Sequence, residues 1–79
     1  VAVDRDGNVF AADFYNHRIQ KFSPDGTFLT SFGTKGHAQG QFDHAIDVAA
    51  AADGAVFTVD FGNNRIEKWR PAVPGVRPL

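Results

Sequence analysis

An aspartate, an asparagine and an arginine stand close together at two places in this chain. They are Asp13, Asn16 and Arg18 and, 47 residues later, Asp60, Asn63 and Arg65. A carboxylate that faces a guanidinium can pair with it through two parallel hydrogen bonds, and asparagine suits a tight turn between them. A catalytic site is usually present once, so the recurrence favours a structural role. We call the two sets the first clamp and the second clamp.

Histidines and aspartates offer a second kind of chemistry. His37 and His44 lie near Asp43 and Asp47 in one glycine-containing stretch, and His17 lies in an earlier turn. Imidazole and carboxylate groups are ligands for zinc and copper. The spacing lacks a tight ligand pattern, such as two histidines one helical turn apart. We therefore predict no metal and no cofactor, and name His37 and His44 as the weak candidates for metal ligands.

Large aromatic residues stand in turns where the local fold does not need them. Phe14, Tyr15 and Phe61 are the three cases. Exposed aromatics concentrate at interfaces with partners, but they also cover seams between repeats. Because phenylalanine recurs at 14 and 61, the seam is the favoured interpretation.

Composition excludes several classes of function. Lys plus Arg number 8 and Asp plus Glu number 9, which gives a net charge of −1 and argues against a general basic surface for nucleic acid. Cysteine is absent, so disulfides and thiolate nucleophiles are excluded. No apolar run approaches the roughly 20 residues of a membrane helix. The glycines at 33, 36 and 40 precede no Gly-Lys-Ser/Thr and form no phosphate loop. An enzyme is therefore not the favoured interpretation, and the compartment stays undetermined.

The elements that must position these residues repeat with the same period. Residues 1–24 align without a gap on residues 48–71, and 13 of the 24 pairs are identical. A period between 40 and 50 residues is typical of propeller blades or helical arrays. Short apolar runs separated by glycine and proline turns favour strands. The sequence therefore predicts an all-β fold of four-stranded antiparallel meanders, which are β-propeller blades.

The predicted blades divide the chain into four parts. Residues 1–32 form a first blade of four strands, and Ser23-Pro24-Asp25-Gly26 is its strongest turn signal. Residues 33–46 cross to the next blade. Residues 47–71 form a second blade with three clear strands. Residues 72–79 contain two prolines and are expected to be an edge strand at most, or disordered.

These residues resemble NHL repeats, a family of β-propeller blades. The resemblance rests on Val-Ala-Val-Asp at 1–4, Asp-Gly-Asn-Val at 6–9, the stretch 12–22 and Gly-Gln-Phe at 40–42. The chain departs from the family pattern at Ala45, Asp47 and Ala51. The resemblance implies a ring of about six blades, of which this chain supplies part. It also implies that the crossing and the turns after Asp13 and Asp60 share one end of the ring, which is commonly the binding face.

The favoured function is a binding or scaffold module that contacts a protein or small ligand through these loops. The expected contact residues are Phe14, Tyr15, Asn16, His17, Lys35, His37, His44, Phe61, Asn63 and Asn64, whereas Asp13, Arg18, Asp60 and Arg65 are structural. One alternative is a fragment of a metal-dependent propeller lyase, and a second is an RNA-binding propeller.

An incomplete propeller exposes apolar faces that need partners. Two blades alone must therefore be completed, either by copies of the same chain or by the rest of a longer chain. Three copies with two blades each would close a six-bladed ring. The absence of methionine favours a fragment. We predict no membrane partner and do not expect nucleic acid.

Overall fold

A computed structural model describes residues 1–71 and 76–78 of the chain. Its described part is all-β and contains two four-stranded antiparallel sheets, in agreement with the predicted partial propeller. The first sheet, which we call the first blade, consists of β1 (Ala2–Val3), β2 (Val9–Asp13), β3 (Arg18–Phe22) and β4 (Phe28–Phe32), in that order. Each strand therefore pairs with the next one along the chain, as in a meander.

The second sheet, or second blade, repeats this order. It consists of β7 (Ala45–Ala50), β8 (Val56–Asp60), β9 (Arg65–Pro71) and β10 (Val76–Pro78). The register repeats as well, because Asp13 pairs with Arg18 at the end of one hairpin and Asp60 pairs with Arg65 at the end of the other. The clamps therefore lie at equivalent positions.

The first turn of each blade has the same backbone hydrogen bonds despite different side chains. In the first blade the Asp4 carboxylate accepts hydrogen bonds from the amides of Asp6 and Asn8. Ala51 replaces this aspartate in the second blade, yet its amide still donates to the Ala55 carbonyl at 2.8 Å. Where the family's aspartate is missing, the Asp53 carboxylate supports this turn by accepting a hydrogen bond from the Ala55 amide at 3.0 Å.

Residues 33–46, which we call the crossing segment, are more ordered than a plain connection. Within them β5 (Thr34–Lys35) and β6 (Gln41–Phe42) pair in parallel. The sequence placed the start of the second blade at residue 47, whereas β7 begins at Ala45 and carries a bulge between Ala45 and Asp47. The bulge lets Ala45 pair with Asp60 before the regular ladder begins.

The second blade gains an edge strand at Val76–Pro78, where the sequence showed only three clear strands. Its three residues pair antiparallel with Pro71, Arg70 and Trp69. An edge position tolerates proline because one side of such a strand makes no ladder hydrogen bonds. Residues 72–75 and 79 of the predicted tail lie outside the described residues.

The core lies between the two blades. Phe10, Ile19 and Phe32 of the first blade meet Val48, Val56 and Trp69 of the second, and Phe42 and Ala45 of the crossing segment complete the cluster. The rings of Phe32 and Trp69 are 4.6 Å apart, and the Trp69 indole donates to the Thr58 hydroxyl at 2.9 Å. Burial of these side chains holds the blades together.

Among residues 1–71 and 76–78, no helix has the length and apolar character that a membrane span requires.

Candidate functional site at the loop end

Both clamps are built on a hairpin that is closed by a short 3₁₀ turn. The turns are Phe14–Asn16 and Phe61–Asn63, and each follows the clamp aspartate directly. They end at His17 and Asn64, which both have a left-handed backbone with φ of 52°. This reversal places the aspartate and the arginine of each clamp side by side.

In the first clamp three side chains converge on one carboxylate. The Arg18 Nε donates to Asp13 Oδ2 at 2.9 Å, and the Gln20 amide donates to the same oxygen at 3.1 Å. The Asn16 amide contacts both carboxylate oxygens at 3.0 Å. The hydrogen bonds from Arg18 and Asn16 lower the pKa of Asp13 below its ordinary value. The clamp therefore holds an ionised carboxylate.

In the second clamp the same residue types also hold the crossing segment. The Arg65 Nε donates to Asp60 Oδ2 at 3.2 Å, and its terminal nitrogens donate to the carbonyls of His37, Ala38 and Gln41 at 2.7–2.8 Å. The Asn63 amide donates to Asp60 at 2.7 Å and to the Gly36 carbonyl at 2.9 Å. The second clamp thus fixes a length of backbone as well as a hairpin.

The predicted two-pronged pairing of arginine with aspartate is wrong for both clamps. Only the Nε of Arg18 and of Arg65 contacts its carboxylate among the described residues. For Arg65 the reason is visible, because its terminal nitrogens are turned towards carbonyl oxygens of the crossing segment.

A cluster of His17, Asp43 and His44 brings potential metal ligands together at the seam. One ligand atom from each lies within 4.8 Å of the others. The His44 amide donates to His17 Nδ1 at 2.9 Å, and the His44 Nδ1 contacts the Asp43 carboxylate at 2.8 Å. Since these bonds occupy one ring nitrogen of each histidine, a metal ion would have to use the other nitrogens or replace a bond.

The two histidines named as weak ligand candidates occupy different surroundings. His44 belongs to the cluster, packs on Phe14 with ring centres 4.7 Å apart, and has a left-handed φ of 63°. His37 instead contacts the Asn63 side chain and offers its carbonyl to Arg65. The structure therefore replaces His37 by His17 and Asp43 in the set that could hold a metal.

The remaining predicted contact residues are spread over the same end. Phe14 is half-buried at the seam, whereas Tyr15 and Phe61 are exposed. Asn64 is exposed at the end of its turn, and Lys35 is exposed on β5. Tyr15 and Phe61 thus present large surfaces at the loop end.

Sequence reasoning missed Gln20 and Glu67, which occupy equivalent positions two residues after each clamp arginine. Gln20 donates to Asp13, and Glu67 Oε1 accepts from the Gly40 amide at 3.0 Å. The alignment of Arg-Ile-Gln with Arg-Ile-Glu held a signal, because both side chains share a strand face with the arginine.

Comparison with known proteins agrees with the resemblance read from the residues. Residues 1–22 match the family model of the NHL repeat. The curated proteins compared with this chain gave no match. The match covers the first three strands of the first blade, and the four-stranded antiparallel sheets are consistent with blades of a partial β-propeller.

Proposed function

Because residues 1–22 form an NHL repeat, we propose that this chain is an interaction module completed by further blades of the same kind. NHL repeats form β-propellers, and such propellers serve as interaction or scaffold modules. The proposal that copies of this chain complete one another rests on one observation. The two blades pack on each other through one face each, and the other face of each blade resembles the packed face of its neighbour.

The outer face of the second blade corresponds to the buried face of the first. Ile19 is 0% exposed because the second blade covers it, whereas its counterpart Ile66 is 67% exposed. An open depression of about 500 Å³ lies here, lined by Val59, Phe61, Asn64, Arg65 and Ile66. This face therefore offers an apolar surface of the kind that a neighbouring blade covers inside the chain.

The outer face of the first blade corresponds to the buried face of the second. Val48 is 5% exposed at the internal junction, whereas its counterpart Val1 is 81% exposed. Val3, which lies on β1, is also exposed. The outer face of the second blade in one copy can therefore pack on the outer face of the first blade in the next copy, in a head-to-tail arrangement. Such contacts close into a ring when the rotation per unit allows it.

The solution mass tests this proposal. Light scattering behind a sizing column should give a single species near 26 kDa, about three times 8.6 kDa, if three copies close a six-bladed ring. A cooperatively folded monomer would contradict self-association. If the chain aggregates or is an unfolded monomer, we would infer that the further blades come from another part of a longer chain.

The loop end is the proposed contact surface of the assembled module. Tyr15 is 83% exposed and packs its ring edge-on against Phe14, at 5.0 Å between ring centres. A rigid exposed aromatic ring of this kind is typical of an anchor at a protein interface. The proposed partner is a protein or small ligand, and in a ring of copies each loop would be presented several times.

The His17, Asp43 and His44 cluster favours a second candidate function, that of a metal-dependent enzyme. A zinc titration followed by calorimetry separates the two candidates. Binding at micromolar zinc that His44→Ala abolishes and His37→Ala retains would support a metal centre. No heat of binding up to high micromolar zinc would remove this candidate.

A further inference from the structure

We propose that His17, Asp43 and His44 form a zinc-binding site that joins the hairpin of β2 and β3 to the crossing segment. The inference concerns the same cluster as the second candidate function, but it requires neither a reaction nor a ring of copies. The sequence predicted no metal here, since His17 lies 27 residues before His44 and the two show no ligand spacing.

The ligand atoms of the cluster lie close together. The His44 amide donates to His17 Nδ1 at 2.9 Å, so this nitrogen carries a lone pair that points towards residue 44. The His44 Nδ1 lies 2.8 Å from Asp43 Oδ1, and one ligand atom of each residue lies within 4.8 Å of the others. Ligands about 2.1 Å from a tetrahedral zinc ion lie about 3.4 Å apart, so small side-chain rotations would bring all three into range.

A bound ion would take the place of a proton. An ionised carboxylate only accepts hydrogen bonds, so the His44 Nδ1 donates to Asp43 in the free protein. Zinc bound between these two groups displaces that proton, which His44 can carry on its Nε2 instead. The His17 Nδ1 needs no change of tautomer, because it already accepts a hydrogen bond. The charge of Asp43 offsets part of the charge of the ion.

Both histidines have a left-handed backbone, with φ of 52° at His17 and 63° at His44. Such a backbone is uncommon for a residue other than glycine and persists where the surrounding structure holds it. At His44 it directs the amide to His17 and the ring to Asp43 at the same time. The unusual backbone therefore occurs at the residue that contacts both other ligands.

The cluster is open to solvent on one side. The side chain of His44 is 39% exposed and that of Asp43 is 32% exposed. Phe14 packs on the His44 ring, with 4.7 Å between ring centres. An ion can therefore reach the ligands without unfolding of the chain, and water can fill its fourth coordination position.

The ligands belong to separate parts of the fold. His17 ends the 3₁₀ turn after β2. Asp43 lies near the other end of the crossing segment, where its amide donates to Asp60 at 2.8 Å and its carbonyl accepts from the Gly62 amide at 2.8 Å. A bound ion would connect the first hairpin to the second clamp. It would stabilise the folded state, because the unfolded chain does not hold these ligands together.

The donor set favours zinc over calcium and magnesium. Two imidazoles and one carboxylate are zinc ligands, and nickel and copper bind the same donors. Calcium and magnesium prefer about six or more oxygen ligands, of which the cluster supplies a single carboxylate. Calcium therefore serves as the control ion.

Urea unfolding with and without zinc, at about pH 7.5 where histidine is mostly neutral, tests the site. The urea midpoint should rise with zinc concentration, and a chelator should reverse the rise. His17→Asn and His44→Asn should each weaken zinc binding by about a hundredfold or more, since each removes a ligand. Asparagine tolerates the left-handed backbone, as Asn64 shows with its φ of 52°. His37→Asn is the matched control outside the cluster and should keep the full rise.

Amide exchange followed by NMR tests whether the ion joins the two segments. Zinc should slow exchange of the Gly62 amide, which donates to the Asp43 carbonyl, by about threefold or more. The Gly54 amide donates to the Ala51 carbonyl in the turn at the other end of the second blade, and its exchange should not change. If zinc binds and exchange at Gly62 stays the same, the ion does not join the segments and the inference is overturned.

Three results of the urea experiment would also overturn the inference. They are no rise in the midpoint at high micromolar zinc, an equal rise for His17→Asn, and an equal rise with calcium. The outcomes for the site and for the ring are separate. Zinc stabilisation of a chain that stays monomeric would retain the site and refute self-association, whereas a stable ring that zinc does not affect would refute the site alone.

Discussion

Arg65 connects three parts of the molecule. It contacts the Asp60 carboxylate on its own hairpin, three carbonyls of the crossing segment, and the Glu67 carboxylate at 3.7 Å. Its counterpart Arg18 contacts only Asp13 among the described residues. The two arginines occupy equivalent positions, but Arg65 makes more hydrogen bonds than Arg18 among the described residues.

Arg65→Lys should therefore destabilise the fold much more than Arg18→Lys. Lysine cannot serve the fully buried Asp60 and the carbonyls together, so we expect a loss of about 3 kcal/mol for Arg65→Lys and less than about 1 kcal/mol for Arg18→Lys. Urea unfolding at a fixed chain concentration measures both. Equal losses would contradict the role assigned to the crossing segment.

Glu67 carries a buried polar atom without a partner. Its Oε1 accepts from Gly40, whereas Oε2 has no hydrogen-bond partner. Glu67→Gln would place a donor at this position, and Gln20 shows that such a donor reaches the clamp aspartate in the first blade. We expect unfolding free energy to stay constant or to rise by up to about 1 kcal/mol, measured in urea. A clear loss would show that the charge of Glu67 on Arg65 matters more than the unpartnered oxygen.

Acid should weaken the folded state through carboxylates with lowered pKa. The pKa values of Asp13, Asp25 and Asp53 lie below the ordinary range, chiefly through hydrogen bonds from Arg18, from Ser23 and from the Ala55 amide respectively. The folded state then holds fewer protons than the unfolded chain. The stability they provide is complete above the unfolded pKa of about 3.9 and is lost as pH falls through the folded values.

The check is the urea midpoint followed between pH 6 and pH 2. It should fall below about pH 4, and Asp13→Asn should fall less steeply than the parent protein because it lacks one of these groups. If the urea midpoint of Asp13→Asn falls with pH as steeply as that of the parent protein, the first clamp does not contribute to the acid sensitivity.

At the scale of elements, the crossing segment decides how the blades are joined. Gly33 opens it with a φ of +98°, and a Cβ there would lie 2.3 Å from the ring of the buried Phe42. Gly26 in the turn before β4 has a similar φ of +89° but no neighbour within 4 Å. The two glycines share backbone conformation and differ in packing.

Gly33→Ala should accordingly cost more than Gly26→Ala. We expect about 1 kcal/mol for Gly26→Ala from the left-handed backbone alone and about 3 kcal/mol or more for Gly33→Ala, because Phe42 must also shift. Thermal unfolding followed by the fluorescence of Trp69, which stacks on Phe42, reports both effects. Similar melting temperatures for the two variants would contradict the close packing at Gly33.

At the scale of the whole molecule, the proposed association depends on the open face of the second blade. Ile66→Glu should shift the chain from ring to monomer on a sizing column, since a buried charge at a junction is costly. The dissociation constant should rise by about tenfold or more. Thr27→Glu, in an exposed turn, adds the same charge away from the faces and should leave the mass unchanged. An unaltered mass for Ile66→Glu would place the contact elsewhere.

The sequence by itself determined the blades. The repeat at an offset of 47, the turn residues and the position of Asp13 and Arg18 at facing strand ends follow from local chemistry, which acts over a few residues. The recurrence of the clamp residues in both repeats likewise predicted a structural role for them. The position of Gln20 two residues after Arg18 could also have indicated that Gln20 contacts Asp13, because residues two apart share a strand face.

Only the tertiary structure decided what each clamp holds. The contact of Arg65 with the carbonyls of residues 37, 38 and 41 joins groups 24 to 28 residues apart, and backbone carbonyls carry no mark in a sequence. His17 and His44 are also 27 residues apart, and their contact likewise arises only in the folded chain. The contacts of the second clamp thus depend on packing between distant segments, which is a property of the folded chain.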